Sequence, residues 1–368
     1  MSSVQGLELS RRFYDDLVGP WLARAYPGLP HAAALLGYGS ELLGFDDAMS
    51  QDHNWGPRLW LFLNDADFAA HADAIVTDFA AIAPEVFLGA PIGFFSRPHP
   101  PINESGRRGD IRHGLEVWRL EFYLDGVLGG RPPPTDNLGW LGLADQWLIE
   151  LTAGAVFHDD DGALTGLRQR LAQPPRDVRL YKLACQWRRI AEEQAFVGRT
   201  GDRGDELGSR VIAARLVRDV MRMAFLIEGR YAPYPKWFGT GFARLPCAGS
   251  LTPMLSQVLS ANDWKTREAA LAEAYLALAR LHQARGLPGA FEPKIGPYFG
   301  RPFTVINADD IGAAIAREIV DSALRAPPIL GALDQLTDST PLIEAPARAR
   351  AAMAALFDDG EAGFLEEA

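Results

Sequence analysis

The apolar periodicity of the chain changes along its 368 residues, and that change limits the architectures open to it. Leu7 to Ala25 places Leu7, Leu9, Phe13, Leu17, Trp21 and Leu22 at helical spacing and ends in the breaker YPGLP, which predicts one amphipathic helix and a turn. HAAALLGYGS follows as a short apolar stretch running into glycines. RLWLFL, Arg58 to Leu63, is dense in large apolar side chains and too short to stand alone as a helix, so it reads as a buried strand. Asp65 to Ala83 returns to helical spacing through Phe68, Ile75, Phe79 and Ile82. After the loop SRPHPPINESGRRGD, IRHGLEVWRLEFYL puts Ile111, His113, Leu115 and Val117 on one strand face and Arg112, Glu116 and Trp118 on the other, with a helix able to start in its later half.

From about Trp147 the strand signals fade and long helical patterns take over: Val178 to Phe196, Val211 to Ile227 and Arg267 to His282. QPPRD, FVGRTGDRGDELGSR and LPGAFEPKIGPYFGRP read as the loops between them. The tail from Pro346 is rich in alanine and acids and is expected to fray after a last helix. The expected fold class is therefore α+β, with a mixed α/β domain over residues 1–150, bounded by GGRPPPTDNLG, and a helical bundle domain over residues 151–368.

Composition narrows the function. A formal net charge of −11 argues against broad binding to nucleic acid or to an anionic membrane. Cys185 and Cys247 stand far apart and outside any metal-ligand spacing, which predicts neither a disulfide framework nor a structural zinc site and fits a reducing, cytoplasmic location. No segment has the roughly 18 to 20 uncharged apolar residues that a membrane span needs. Phosphate-loop, nucleophile-elbow, zinc-protease and dinucleotide fingerprints are missing from the sequence. HDDDG, from His158, begins like a calcium loop but lacks the closing Glu and reads as an acidic turn.

The candidate chemistry lies in GYGSELLGFDDAMSQDHNWGPRL. Phosphoryl and nucleotidyl transfer need oxygen donors on a rigid edge to hold Mg²⁺, together with backbone N–H groups near the phosphates. Gly39 and Ser40 supply a close-approach turn, Asp52 follows just before the apolar strand, and Glu116 lies in the second extended stretch. The plain alternative is an acidic, glycine-containing loop capping a strand. His53 beside Asp52 points to the opposite strand face and reads as structural.

This arrangement resembles the nucleotidyltransferases of the DNA polymerase β superfamily. The wider sequence resembles the DUF4037 family, through the Gly-Ser turn, the Asp-His-Asn-Trp-Gly run and the later stretches WLIELTAGAVFHDD, LACQWRRIAEEQAF and GRPFTVINADDI. The resemblance implies a polymerase β-like N-terminal domain in which Asp52, Asn54 and Glu116 hold Mg²⁺ or Mn²⁺ while Gly39 and Ser40 bind the phosphates of a nucleoside triphosphate, ATP foremost. An unidentified acceptor would be the second partner. The pattern carries a carboxylate where this chain has Asn54, a neutral oxygen donor, so the alternative is a nucleotide-binding pseudoenzyme or sensor with a weakened metal site. Asp46 and Asp47 stand nearby as possible substitutes.

The second half adds candidates of its own. Arg199 lies in a glycine-rich stretch, and Arg218 recurs with Arg215 and Arg222 along one helix face, either as a solvated stripe or as a basic wall for a triphosphate. Tyr234 and Lys236 lie in a Tyr-x-Pro-x-x-Lys-Trp stretch that resembles the helical part of related nucleotidyltransferases. Glu193, in AEEQAF, is the candidate base for an acceptor hydroxyl.

Overall fold

The computed structural model describes residues 5–50, 55–92, 113–325 and 329–357. Chain contacts divide into two units, Met1–Pro133 with Trp147–Ala172, and Pro134–Gln146 with Gln173–Ala368. The first is mixed α/β and the second mainly helical.

In the first unit the strands are β1 (Ala32–Leu35), β2 (Arg58–Leu63), β3 (Val86–Phe87), β4 (Ala90–Pro91), β5 (Gly114–Arg119) and β6 (Ala155–Asp159). The main sheet runs in the order β5-β2-β1-β6, with β2 and β5 parallel and β1 antiparallel to both its neighbours. RLWLFL is buried at every position, as its composition predicts. Alternation then splits it. Leu59, Leu61 and Leu63, with Leu115 and Val117 of β5, pack on Phe13, Val18, Leu22, Ile75 and Phe79 from the helices. Arg58, Trp60 and Phe62 take the other face, and the parallel register pairs Trp60 with Glu116. At Gly114, opposite Arg58, an added Cβ would stand 2.7 Å from the Arg58 Cα, so only glycine lets the two strands approach there.

The Leu7 to Ala25 pattern is helical throughout, but as three pieces: an α-helix at Gly6–Phe13, a π-helical turn at Tyr14–Val18 and an α-helix at Gly19–Ala25. Pro20 removes one N–H from the ladder and crowds the preceding turn, while the Gly19 N–H bonds back to the Tyr14 carbonyl in π spacing. The helix Asp65–Ile82 begins at Asn64, whose side chain accepts from the Asp67 N–H at 2.9 Å.

The second unit packs the helices Arg176–Glu193, Glu206–Glu228, Ala248–Ser260, Trp264–Ala284 and Ala308–Ala316 against one another. Three sequence expectations are corrected. FVGRTGDRGDELGSR is mostly helical, as Phe196–Gly201 and the start of Glu206–Glu228. Two of its glycines serve packing: a Cβ at Gly198 would stand 2.7 Å from the Phe303 ring, and one at Gly201 would overlap the Trp264 side chain. LPGAFEPKIGPYFGRP contains β7 (Ile295–Tyr298), which pairs with β8 (Arg301–Ile306). Strands also persist past Trp147, since β6 completes the main sheet of the first unit. Among the described residues, no helix is long and apolar enough to cross a membrane.

Candidate functional site

Asp52 and Asn54 lie outside the described residues, as does His53. What surrounds their segment is defined. Upstream, β1 ends at Leu35, and the Gly37 N–H donates to the Glu150 carbonyl at 2.8 Å. Gly39 holds φ 117° and ψ 150°, and Ser40 opens the single 3₁₀ turn Ser40–Leu43. A Cβ at Gly39 would overlap the Arg58 guanidinium and stand 2.7 Å from the Glu41 carboxyl carbon, so both conformation and space demand glycine.

Arg58 is the residue that sequence reasoning passed over. It opens β2 almost fully buried, at 3% exposure, and is neutralised by Glu41, whose Oε1 accepts from Nε at 2.8 Å and lies 2.6 Å from Nη2. Nη2 also donates to the Tyr38 carbonyl, and the guanidinium sits 4.4 Å from the Tyr38 ring centroid and 5.3 Å from that of Trp60. Burial pulls the Arg58 pKa down, but Glu41 and further negative charge, including Glu116, hold it above its ordinary value. Nη1 is buried and has no acceptor among the described residues. The available signal was an arginine leading an otherwise apolar strand, because a buried guanidinium demands a carboxylate partner.

Glu116 is half-buried on β5, on the same sheet face as Arg58. Behind it the Tyr123 hydroxyl is buried without a hydrogen-bond partner among the described residues, and burial, then Glu150 and Glu116, push its pKa up while Arg168 and Arg58 oppose the shift. Arg168 is tied to the carbonyls of Thr152 at 2.9 Å and Ala153 at 3.0 Å, closing the end of the preceding helix. The face beyond Gly39 thus gathers buried Glu41, Arg58 and Tyr123 with half-buried Glu116, Glu150 and Arg168 into one electrostatic neighbourhood.

Asp46 and Asp47 each use one carboxylate oxygen in hydrogen bonds within the fold. Asp46 Oδ2 accepts from the Gly6 N–H at 2.8 Å and from Trp55 Nε1 at 3.1 Å, pinning the first helix to the chain entering β2. Asp47 Oδ1 accepts from the N–H groups of Met49 and Ser50, each at 2.9 Å, in a local turn.

The remaining candidates belong to the second unit. Glu193 is paired with Arg215 at 3.0 Å, and burial raises its pKa against that pairing. Arg218 is paired with Asp338 at 2.6 Å, and Arg218 and Arg222 lie 6.0 and 5.8 Å from the Phe238 ring centroid. Phe238 shares the helix Pro235–Ala243 with Lys236, which lies 5.0 Å from the Trp237 ring centroid, and Tyr234 precedes that helix, its N–H donating to Gln146 Oε1 at 3.2 Å. Arg218, Tyr234 and Lys236 are therefore drawn into one region. Arg199 stands on the helix Phe196–Gly201, 5.5 Å from the Phe196 ring centroid.

Residues 140–238 match the family model of a domain of unknown function, DUF4037. That span holds WLIELTAGAVFHDD and the helical stretches through Lys236, and the Gly39–Ser40 turn lies outside it. No curated protein matches the chain. Among solved structures, a nucleotidyltransferase-like protein from Exiguobacterium sibiricum 255-15 aligns over 75% of this chain and 75% of its own, at 12% identity and a TM-score of 0.31.

Proposed function

We propose that this chain is a Mg²⁺-dependent nucleotidyltransferase that moves a nucleoside monophosphate from a nucleoside triphosphate, ATP foremost, to an acceptor hydroxyl. The observation that carries the reading is the placement of Glu116. It stands on β5, hydrogen-bonded in parallel to β2, whose start follows directly on the segment holding Asp52 and Asn54. A carboxylate on the strand beside the one entered from an acidic segment is the arrangement a shared hard cation requires.

The donor set fits Mg²⁺ in kind, since Asp52, Asn54 and Glu116 all offer oxygen. Bound there, the ion supplies charge neutralisation at phosphate oxygens. The chain's own residues do the rest. The Gly39–Ser40 turn offers backbone N–H groups to phosphate, and Nη1 of Arg58, which has no acceptor among the described residues, is a buried donor suited to an anionic oxygen. In the transfer, the acceptor oxygen bonds to the α-phosphorus, the bond to pyrophosphate breaks, and the hydroxyl proton passes to a base.

Asn54 favours a second reading, a nucleotide sensor that binds without turnover. Calorimetry with each NTP and Mg²⁺, run beside an assay for pyrophosphate release with candidate acceptors, separates the two. Binding with release supports the enzyme. Binding without release, converted to release by Asn54→Asp, supports the sensor, and no heat with any NTP overturns both.

A further inference from the structure

At the other end of β1 from Gly39 and Ser40, a second cluster has the composition of a transition-metal site. His31 leads into β1, and His158 and Asp160 come from β6 and the residue after it. One ligand atom from each lies within 4.8 Å of the other two. The two imidazoles stack with ring centroids 4.4 Å apart and planes at 25°. His158 Nε2 is 2.9 Å from Asp160 Oδ1, and His31 Nδ1 is 3.7 Å from Asp160 Oδ2.

The backbone holds these groups in register. Asp160 Oδ2 accepts from the His31 N–H at 2.9 Å, and the Asp160 N–H donates to the His31 carbonyl at 3.2 Å, so the carboxylate is clamped to the same residue that supplies an imidazole. From the helical side, the π turn brings Tyr14 over the pair, with its hydroxyl 2.9 Å from His31 Nε2. π turns interrupt helices frequently at functional sites. Beside the cluster opens a cavity of about 690 Å³, to which Tyr14, Asp15, Tyr26, Pro30 and the two histidines contribute.

We propose that His31, His158 and Asp160 bind one divalent first-row transition-metal ion, with Zn²⁺ as the type case, and leave an open coordination position toward this cavity. Two imidazoles and one carboxylate select such an ion over Mg²⁺ or Ca²⁺, which take oxygen ligands. Metal bonds of about 2.0–2.2 Å in tetrahedral geometry place neighbouring ligand atoms roughly 3.3–3.6 Å apart. His158 approaches Asp160 Oδ1 at 2.9 Å and His31 approaches Oδ2 at 3.7 Å, and the three ligand atoms lie within 4.8 Å, so side-chain rotations bring one carboxylate oxygen and both imidazole nitrogens onto the ion. With Nδ1 of His31 on the metal, its Nε2–H donates to the Tyr14 hydroxyl, the kind of outer partner that orients a metal-bound histidine. Without the metal, Nδ1–H donates to the Leu29 carbonyl at 3.0 Å, and metal binding replaces that hydrogen bond. Three protein ligands and an open side facing a cavity describe a site that keeps an exchangeable water rather than a closed structural one. Nothing in this assignment depends on the nucleotidyltransferase reading, whose Gly39–Ser40 turn follows the opposite end of β1, a strand about 13 Å long at about 3.3 Å per residue.

Titration of the chelator-stripped full-length protein with Zn²⁺, followed by calorimetry, tests the site. The wild type should bind one Zn²⁺ per chain at micromolar affinity or tighter. His158→Ala and Asp160→Asn should each weaken that binding at least about tenfold, with unchanged far-ultraviolet circular dichroism. Asp160→Asn retains an acceptor for the His31 N–H, so its fold should persist even if that of His158→Ala does not. His71→Ala, outside the cluster, should bind as the wild type does. Co²⁺ should give visible d–d bands in the wild type that are lost in His158→Ala. No Zn²⁺ binding by the wild type, or equal binding by the wild type and Asp160→Asn, overturns the proposal.

Discussion

Gly39 is fixed by two independent demands, a positive φ of 117° and the guanidinium that fills the space where its side chain would be. Gly39→Ala should cost about 1–3 kcal/mol of stability, measured by urea unfolding, because the backbone strain adds to displacement of a buried ion pair. Arg58 and Glu41 make the same region sensitive to charge. Their side chains are 3% and 2% exposed, so Glu41→Gln leaves a buried guanidinium without its counter-charge and should cost about 3–5 kcal/mol. The double replacement Glu41→Leu with Arg58→Met should recover most of that loss, and a double-mutant cycle reads the difference. Gly39 was legible as a special residue from its place in a Gly-Ser pair. The pairing that constrains it was not, because Glu41 and Arg58 lie 17 residues apart and only the folded sheet brings them together.

Elements were legible where pattern and punctuation agree. RLWLFL and the helix Asp65–Ile82 stand out because the first is a bounded run of large apolar side chains and the second begins at a capping Asn. The misreadings share a physical cause, the use of turn-type residues inside regular structure. The β7–β8 hairpin turns through Phe299 and Gly300, with φ 46° and 75°, so an aromatic takes a position where Asn or Gly would have announced the turn. β6 is half-exposed at every position and shows no alternation to read. In the helical unit, the short helix Leu333–Leu336 carries Asp334 into a buried ionic cluster. Its Oδ2 accepts from the Asp145 N–H at 2.7 Å, and Lys182 Nζ sits 2.8 Å from Asp145 Oδ1. Burial, then the Asp145 charge, pushes the Asp334 pKa up to about 6, against Lys182 and Arg222. The folded state therefore keeps its proton longer than the unfolded chain, which releases it near pH 4. The contribution of this carboxyl to stability should fall by about 2–3 kcal/mol as pH rises from 4 to 6, being present below the unfolded pKa and lost through the folded one. Asp334→Asn, which preserves the acceptor for Asp145, should abolish that fall in urea unfolding measured across the same pH range.

At the scale of the whole molecule, a net charge of −11 leaves no general attraction for a polyanion. Much of the positive charge that the sequence sets along Arg215, Arg218 and Arg222 meets acids in the fold: Arg215 with Glu193 at 3.0 Å and Arg218 with Asp338 at 2.6 Å. The protein should therefore pass unretained through a heparin column at physiological salt, and retention beyond that point would contradict this account of its surface. The two-unit division reflects a chain whose sheet-forming segments concentrate early and whose long helices concentrate late. The central claim is that Glu116 acts with Asp52 in transfer from a nucleoside triphosphate. The most direct measurement is label transfer from α-³²P NTP to acceptors in a lysate fraction, with Mg²⁺, for the wild type, Asp52→Asn and Glu116→Gln. The account predicts transfer by the wild type and a loss of about a hundredfold or more in each variant at unchanged thermal stability. Transfer undiminished in Glu116→Gln would contradict it.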